Sequence, residues 1–365
     1  MNHSKSICAA ILCVVALPLQ VFAQVDRDAT RYAQAVGKVN EDHARTPGSE
    51  REEALAKKLP PDARTALQRV LQSKPSPTLP ATLLQCGEAA LDLDLAADFN
   101  AVRQRLEQVS PDEAKKLGKI VSRPRFIVRG IGDFAEGYLD QFADVFDAVL
   151  TGYDEVFGFA EFSKVPGKKL RVRLHLEPEI KQPPHFAPQF PWHSEIDFPV
   201  SDPTGFRSPT PKGQFLFYGL CHELGHVIAM WGDLQTMEDH HSWAHYTGVT
   251  IVEHLANKLK DAPLMQSLKD VRWRSLDQER KPPANQVPAS LKDAPGVMKL
   301  LLDLHDSTGP RAIGDAINFL DREGKSRRVN RVRYYRFADF RRAMAATLKD
   351  EAKKKAALAL LDGAR

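Results

Sequence analysis

The sequence predicts an α+β fold: a central stretch of short strands and helices, flanked on both sides by helical regions. Three observations carry this reading. The stretches before residue 120 and after residue 260 are mostly helix-like segments punctuated by proline. "KKLRVRLHLE" alternates strictly, with Leu170, Val172, Leu174 and Leu176 on one face and Arg171, Arg173 and His175 on the other. That is the pattern of a half-buried strand. "FLFYGLCHELGHVIAMW" is apolar enough for a core helix, yet it carries two histidines four residues apart.

The expected order begins with a leader at 1–23. Lys5 gives a short positive start, "ICAAILCVVALPL" an apolar run, and "VFA" a small residue at the cut, so that Gln24 opens the mature chain. An uncleaved anchor helix is the alternative, but the run is short for a bilayer span. No later stretch is apolar enough to span a membrane, so a secreted or periplasmic protein without stable membrane insertion is expected. Basic and acidic residues nearly balance, 51 against 47, for a net charge of +4. This gives no electrostatic reason to expect nucleic acid as a partner. Cys8 and Cys13 would leave with the leader, and Cys86 and Cys221 remain as one disulfide or as two buried thiols.

Residues 24–120 read as an N-terminal helical region, either a pro-segment or a packing domain. "SEREEALAKKL" opens as a capping box, "PDARTALQRVLQ" is a second helix, and "SKPSPTLP" is a loop. "ATLLQCGEAALDLDLAADFNAVRQRLEQV" is one long helix or two short ones. Residues 121–260 form the expected central domain. "RPRFIVRGIG" holds a short strand, and Phe134, Tyr138, Phe142, Val145, Phe146 and Val149 define a helix with one aromatic face. "PPHFAPQFP" reads as an irregular loop. "HSEIDFPV" reads as a strand that Pro199 places toward a sheet edge. Residues 261–365 form a C-terminal helical domain with four helix candidates, and "RWRSLDQERKPPANQVP" is a surface loop.

His222, Glu223 and His226 make an H-E-x-x-H pattern. On a helix, residues i and i+4 share a face, so both imidazoles can converge on one metal ion. The glutamate at i+1 lies off that face, where it can take a proton from metal-bound water. Zinc suits two neutral imidazoles, a third nitrogen or oxygen ligand and an open water position. Gly225, between the histidines, leaves room for another backbone to approach.

"HELGH" resembles the zincin metallopeptidases. The resemblance covers roughly residues 120–260 and implies a sheet with an edge strand over a cleft, the H-E-x-x-H helix behind it, and a further helix supplying a third ligand. The metzincin pattern is excluded, because Ala229 and Gly232 stand where it needs a glycine and a ligand. "HSWAHY" at 241–246 is similar to the gluzincin string E-G-x-A-x-Y, with His241 in place of the glutamate. That likeness implies His222, His226 and His241 as metal ligands, with Asp239, Glu238 and His240 as competitors for the third position. His245, one turn beyond His241, is placed beside a ligand histidine. Tyr246, Tyr334, Tyr335 and His245 are candidate donors to an oxyanion, and packing is the competing explanation for each. The expectation is a secreted zinc metallopeptidase acting on a peptide or protein substrate, with Glu223 as general base. The alternatives are a non-catalytic zinc-binding or scaffold protein on the same fold, and hydrolysis of a non-peptide amide.

Overall fold

The computed structural model describes residues 23–42, 57–159, 169–177, 185–189, 193–201, 211–228, 230–231, 237–258, 276–281, 288–291, 293–325, 327–329 and 332–364. For 185–189, 193–194, 211–216, 228, 230–231, 237–240, 277–278, 294, 327–329 and 332–334 it describes the backbone alone. The expected leader up to residue 22 and the capping box at "SEREEALAKKL" lie largely outside the described residues. The chain is α+β and divides into two units, residues 1–133 with 166–169, and residues 134–165 with 170–365. No described helix is long and apolar enough to cross a membrane.

The first unit is a set of helices followed by a hairpin. Helix α1 spans 23–42 and buries Val25, Ala29, Tyr32, Val36 and Val39, a stripe at steps of four and three. Then come α2 (Pro61–Gln72), α3 (Leu79–Asp92), α4 (Ala96–Val109), α5 (Pro111–Leu117), β1 (Lys119–Ser122) and β2 (Phe126–Ile131). The long apolar segment is thus two helices. They break at Asp94, whose φ of +57° is left-handed and whose carboxylate accepts the Lys169 amide at 3.0 Å. Leu67, Leu83, Cys86, Phe99, Val102 and Leu106 close one core. Tyr32 donates to Asp98 at 2.8 Å and Arg69 to both oxygens of Asp28, so these buried polar groups are paired.

In the second unit, α6 (Tyr138–Phe157) starts after Gly137 and buries Tyr138, Phe142, Val145, Phe146, Val149, Tyr153 and Phe157. Strands β3 (Leu170–Leu176), β4 (His185–Gln189) and β5 (His193–Val200) follow. β3 and β5 pair in parallel, and β4 is antiparallel to β5 on its other side. Leu170, Val172, Leu174, Ile196, Phe198 and Val200 share the apolar face, and Phe198 meets Phe142 of α6 edge-on at 5.7 Å.

Two expectations change here. The proline-rich "PPHFAPQFP" contains a strand, and β4, not β5, is the edge. An edge strand tolerates proline because its outer amides need no partner. The β4 ladder stops at Asp197, so Pro199 is not asked to pair with it. The charged face of β3 is half-buried, as its alternation predicts: Arg171 is buried and Arg173 and His175 are partly exposed, while Glu195 and Asp197 on the neighbouring β5 are buried. The parallel register explains how that is tolerated. It sets Arg171 opposite Glu195 and Arg173 opposite Asp197, and Arg173 bridges Glu195 at 3.1 Å and Asp197 at 2.6 Å.

Helix α7 (Pro211–Ile228) leads into β6 (Met230–Trp231) and then α8 (Met237–Lys258). The chain continues through a single helical turn, α9 (Leu276–Glu279), then α10 (Ala294–Thr308), α11 (Pro310–Arg322), β7 (Arg327–Val329), β8 (Val332–Tyr335), α12 (Phe337–Thr347) and α13 (Glu351–Gly363). β6 pairs in parallel with β8, which ties the exit of α7 to the C-terminal part of the chain. This small sheet is absent from the sequence expectation, as is the turn α9 inside the segment read as surface loop. Leu276 in that turn is buried. Gly314 of α11 packs against the Phe157 carbonyl so closely that a Cβ would stand 1.8 Å from its oxygen.

Candidate metal centre

The two helices that carry the histidines meet through glycines. A Cβ on Gly225 of α7 would lie 2.7 Å from Ala244 Cα of α8, and one on Gly248 of α8 would lie 3.2 Å from His222 N and Cα. Neither position has room for a larger residue without movement, so the backbones approach as the sequence predicts for Gly225. Two side chains then fix the rotation of α7. Trp243 Nε1 donates to the Gly225 carbonyl at 3.1 Å, and Tyr153 Oη of α6 donates to the Cys221 carbonyl at 2.6 Å. Both donors and both acceptors are buried, where an unmade hydrogen bond is costly. Residues 221 and 225 are one turn apart and flank His222, so α7 is held at the turn that carries the histidines.

The result is a triangle of imidazole nitrogens. His222 Nε2, His226 Nε2 and His241 Nδ1 stand 3.2 Å from one another along all three edges. A ring nitrogen is either one donor or one acceptor. Three such atoms in mutual contact can therefore hold at most one good hydrogen bond and leave the third atom idle. Nitrogens about 2.0–2.1 Å from a common ion at near-tetrahedral angles are about 3.3 Å apart. The observed spacing fits ligation better than mutual hydrogen bonding, and these three histidines can hold a metal ion.

Among the described residues this is the one grouping of metal-ligating side chains with such geometry. It contains His241, the third ligand implied by the "HSWAHY" likeness. The competing side chains of Glu238, Asp239 and His240 lie outside the described residues. Glu253, further along α8, accepts the Leu276 amide at 3.1 Å and so serves the turn α9 instead. Glu223 is buried one position along α7 from His222 and is not part of the triangle, as i+1 geometry requires.

Three further groups line up behind His222. Its Nδ1 lies 3.2 Å from Tyr218 Oη, and the same hydroxyl makes a short contact with His245 Nδ1. His245 Nε2 in turn lies 3.1 Å from Glu279 Oε1. His245 is expected beside a ligand histidine, and the structure adds the tyrosine between them. Tyr218 was legible in principle, being four residues before His222 on the same helical face. Glu279 was not, since a four-residue turn has no periodicity to read.

The remaining candidates separate. Tyr246 is fully buried with Oη 3.1 Å from His305 Nδ1, and Tyr335 is buried and donates to Asp321 at 2.8 Å. Both are packing residues with satisfied hydroxyls. The Tyr334 side chain lies outside the described residues. Cys86 and Cys221 are free thiols, each buried in the core of its own unit. Burial pushes the Cys86 thiol up to about 12 and the Cys221 thiol well above its ordinary range, so both are inert thiols at neutral pH.

No family model, no curated protein sequence and no solved structure matches the chain.

Proposed function

We propose that this protein is a secreted zinc metallopeptidase of zincin type. The observation that carries the reading is the triangle of His222, His226 and His241 nitrogens, set by two successive helices, with a buried glutamate immediately after the first ligand. Three imidazoles with no thiolate are the ligand set of a catalytic rather than a structural zinc site. The order of elements supports it too. The antiparallel edge strand β4 packs alongside α7, and α8 follows with the third histidine. The leader-like run at 1–23 supports export.

Zinc held there would polarise the scissile carbonyl and bring the pKa of a bound water toward about 7. The chain's own chemistry falls to Glu223. Its carboxylate takes a proton from the attacking water and delivers it to the leaving amine as the C–N bond breaks. His222, His226 and His241 must stay neutral to ligate, and the close packing of α7 on α8 keeps their nitrogens convergent.

The test is zinc content and peptide hydrolysis of the full mature chain beside Glu223→Gln. The expectation is stoichiometric zinc in both and a rate lower by about 10²–10⁴ in the variant. Zinc in both with no Glu223-dependent hydrolysis of any peptide would turn the reading to a non-catalytic zinc protein. No zinc in either would end it.

A further inference from the structure

We propose that Tyr218, His245 and Glu279 act in series as one positioning chain that fixes the tautomer and ring orientation of His222. The proposal rests on the metal-centre reading, and it follows from counting protons. His222 Nε2 faces His226 and His241, so as a ligand it carries the lone pair and the ring proton sits on Nδ1. That N–H faces Tyr218 Oη at 3.2 Å and donates to it. The tyrosine's own hydrogen then points to His245 Nδ1, which accepts it. His245 must therefore hold its proton on Nε2, and that N–H points at Glu279 Oε1, 3.1 Å away. Each hydrogen in this series has an acceptor, and the series reaches a carboxylate, a group suited to accept from an imidazole N–H. The reverse direction would put a proton on His222 Nε2, aimed at two other imidazole nitrogens.

The elements place these groups deliberately. Tyr218 and His222 are one turn apart on α7, and His241 and His245 one turn apart on α8, so each helix supplies one ligand face and one supporting residue. Glu279 arrives on α9, whose first amide is held by Glu253 of α8 at 3.1 Å and whose following residue, Arg280, bridges Asp306 at 2.6 Å. Helix α8 thus provides both the histidine and the anchor for its partner carboxylate. Tyr218 is buried and His245 and Glu279 are mostly so, which limits screening of the chain by water.

The competing account is that these contacts only pack α7 on α8. Zinc affinity separates the two. The full mature chain is titrated against a chromophoric chelator as wild type, Tyr218→Phe, Glu279→Ala and the double variant, with His226→Ala as the ligand control. Unfolding of each metal-free form reports packing alone. Removing a group that orients a ligand histidine weakens metal binding by about 10–100-fold, and both single variants are expected in that range. Because the two act in series, the double variant should bind no more weakly than Tyr218→Phe alone, while the metal-free unfolding registers the lost buried hydrogen bonds separately. Glu279→Ala binding within about twofold of wild type overturns the chain, and so does a double variant whose loss is the product of the single losses. If wild type binds zinc no better than His226→Ala, the centre itself is wrong and the chain falls with it. Tight wild-type binding with unaffected variants sinks the chain alone.

Discussion

A methyl group on Gly225 would stand 2.4 Å from Thr247 Oγ1 and 2.7 Å from Ala244 Cα, and the second of these is backbone that cannot rotate aside. Gly225→Ala must therefore push α8 away from α7, and the His226–His241 edge of the triangle opens with it. We expect a loss of about 1–3 kcal/mol of stability, typical of overpacking, together with weaker zinc binding. Gly37 gives the opposite sign. It is a helical residue of α1 with nothing within 4 Å of a notional Cβ, so Gly37→Ala should stabilise by about 0.5–1 kcal/mol. Urea midpoints of both variants measure this, and an unchanged midpoint for Gly225→Ala would show that the helices are not held at contact distance. The same scale shows what could be read in advance. His222, Glu223, His226 and Gly225 were legible because helical spacing alone places them. His241 needed a likeness to a string of residues, since nothing in its own neighbourhood singles it out among Glu238, Asp239 and His240. Glu279 was invisible because its role depends on a contact 34 positions from His245 in the chain.

The ion pair between Asp28 on α1 and Arg69 on α2 shows how single elements are tied. Both carboxylate oxygens accept from the guanidinium at 2.9 Å, and the carboxylate is buried while the arginine is half-exposed. The hydrogen bonds from Arg69 outweigh burial and hold the Asp28 carboxyl below its ordinary value of 3.8. A carboxyl depressed in the folded state contributes fully above its unfolded pKa, and the contribution is lost as pH falls through the folded one. Asp28→Asn should lower the denaturation midpoint at pH 7, and the gap to wild type should close as pH drops below about 4. A gap that persists undiminished in strong acid would mean that the pair is not what Asp28 contributes. Elements such as α6 and β3 announce themselves because a period repeats over seven or more residues. β4 and the β6, β7 and β8 sheet do not. They run from two to five residues each, too few for a pattern, and they exist because partners distant in sequence complete their ladders. Around β4 the prolines also argued for a loop, and only its edge position makes Pro188, the one inside the strand, acceptable.

At the scale of the molecule, a ligand set divided between α7 and α8 makes a bound ion a cross-link that is complete only in the folded state. The unfolded chain still offers His222 and His226 as a local pair, but the third nitrogen then has to be gathered across a loop at entropic cost. Zinc should therefore stabilise by mass action, about 2.7 kcal/mol at a hundredfold excess over its dissociation constant and somewhat less for any binding to the unfolded chain. For a unit of roughly 150–250 residues that corresponds to a rise of about 5–10 °C in Tm. His226→Ala removes a triangle nitrogen without touching the Gly225–Ala244 contact. His226 is itself buried, so the variant carries its own packing loss and is read only by its response to zinc, which should be nil. Calorimetry of wild type and His226→Ala, each with zinc and with chelator, gives two pairs of curves, of which only the wild-type pair should separate. If the wild-type pair coincides, the three nitrogens do not act together on an ion, whatever their spacing.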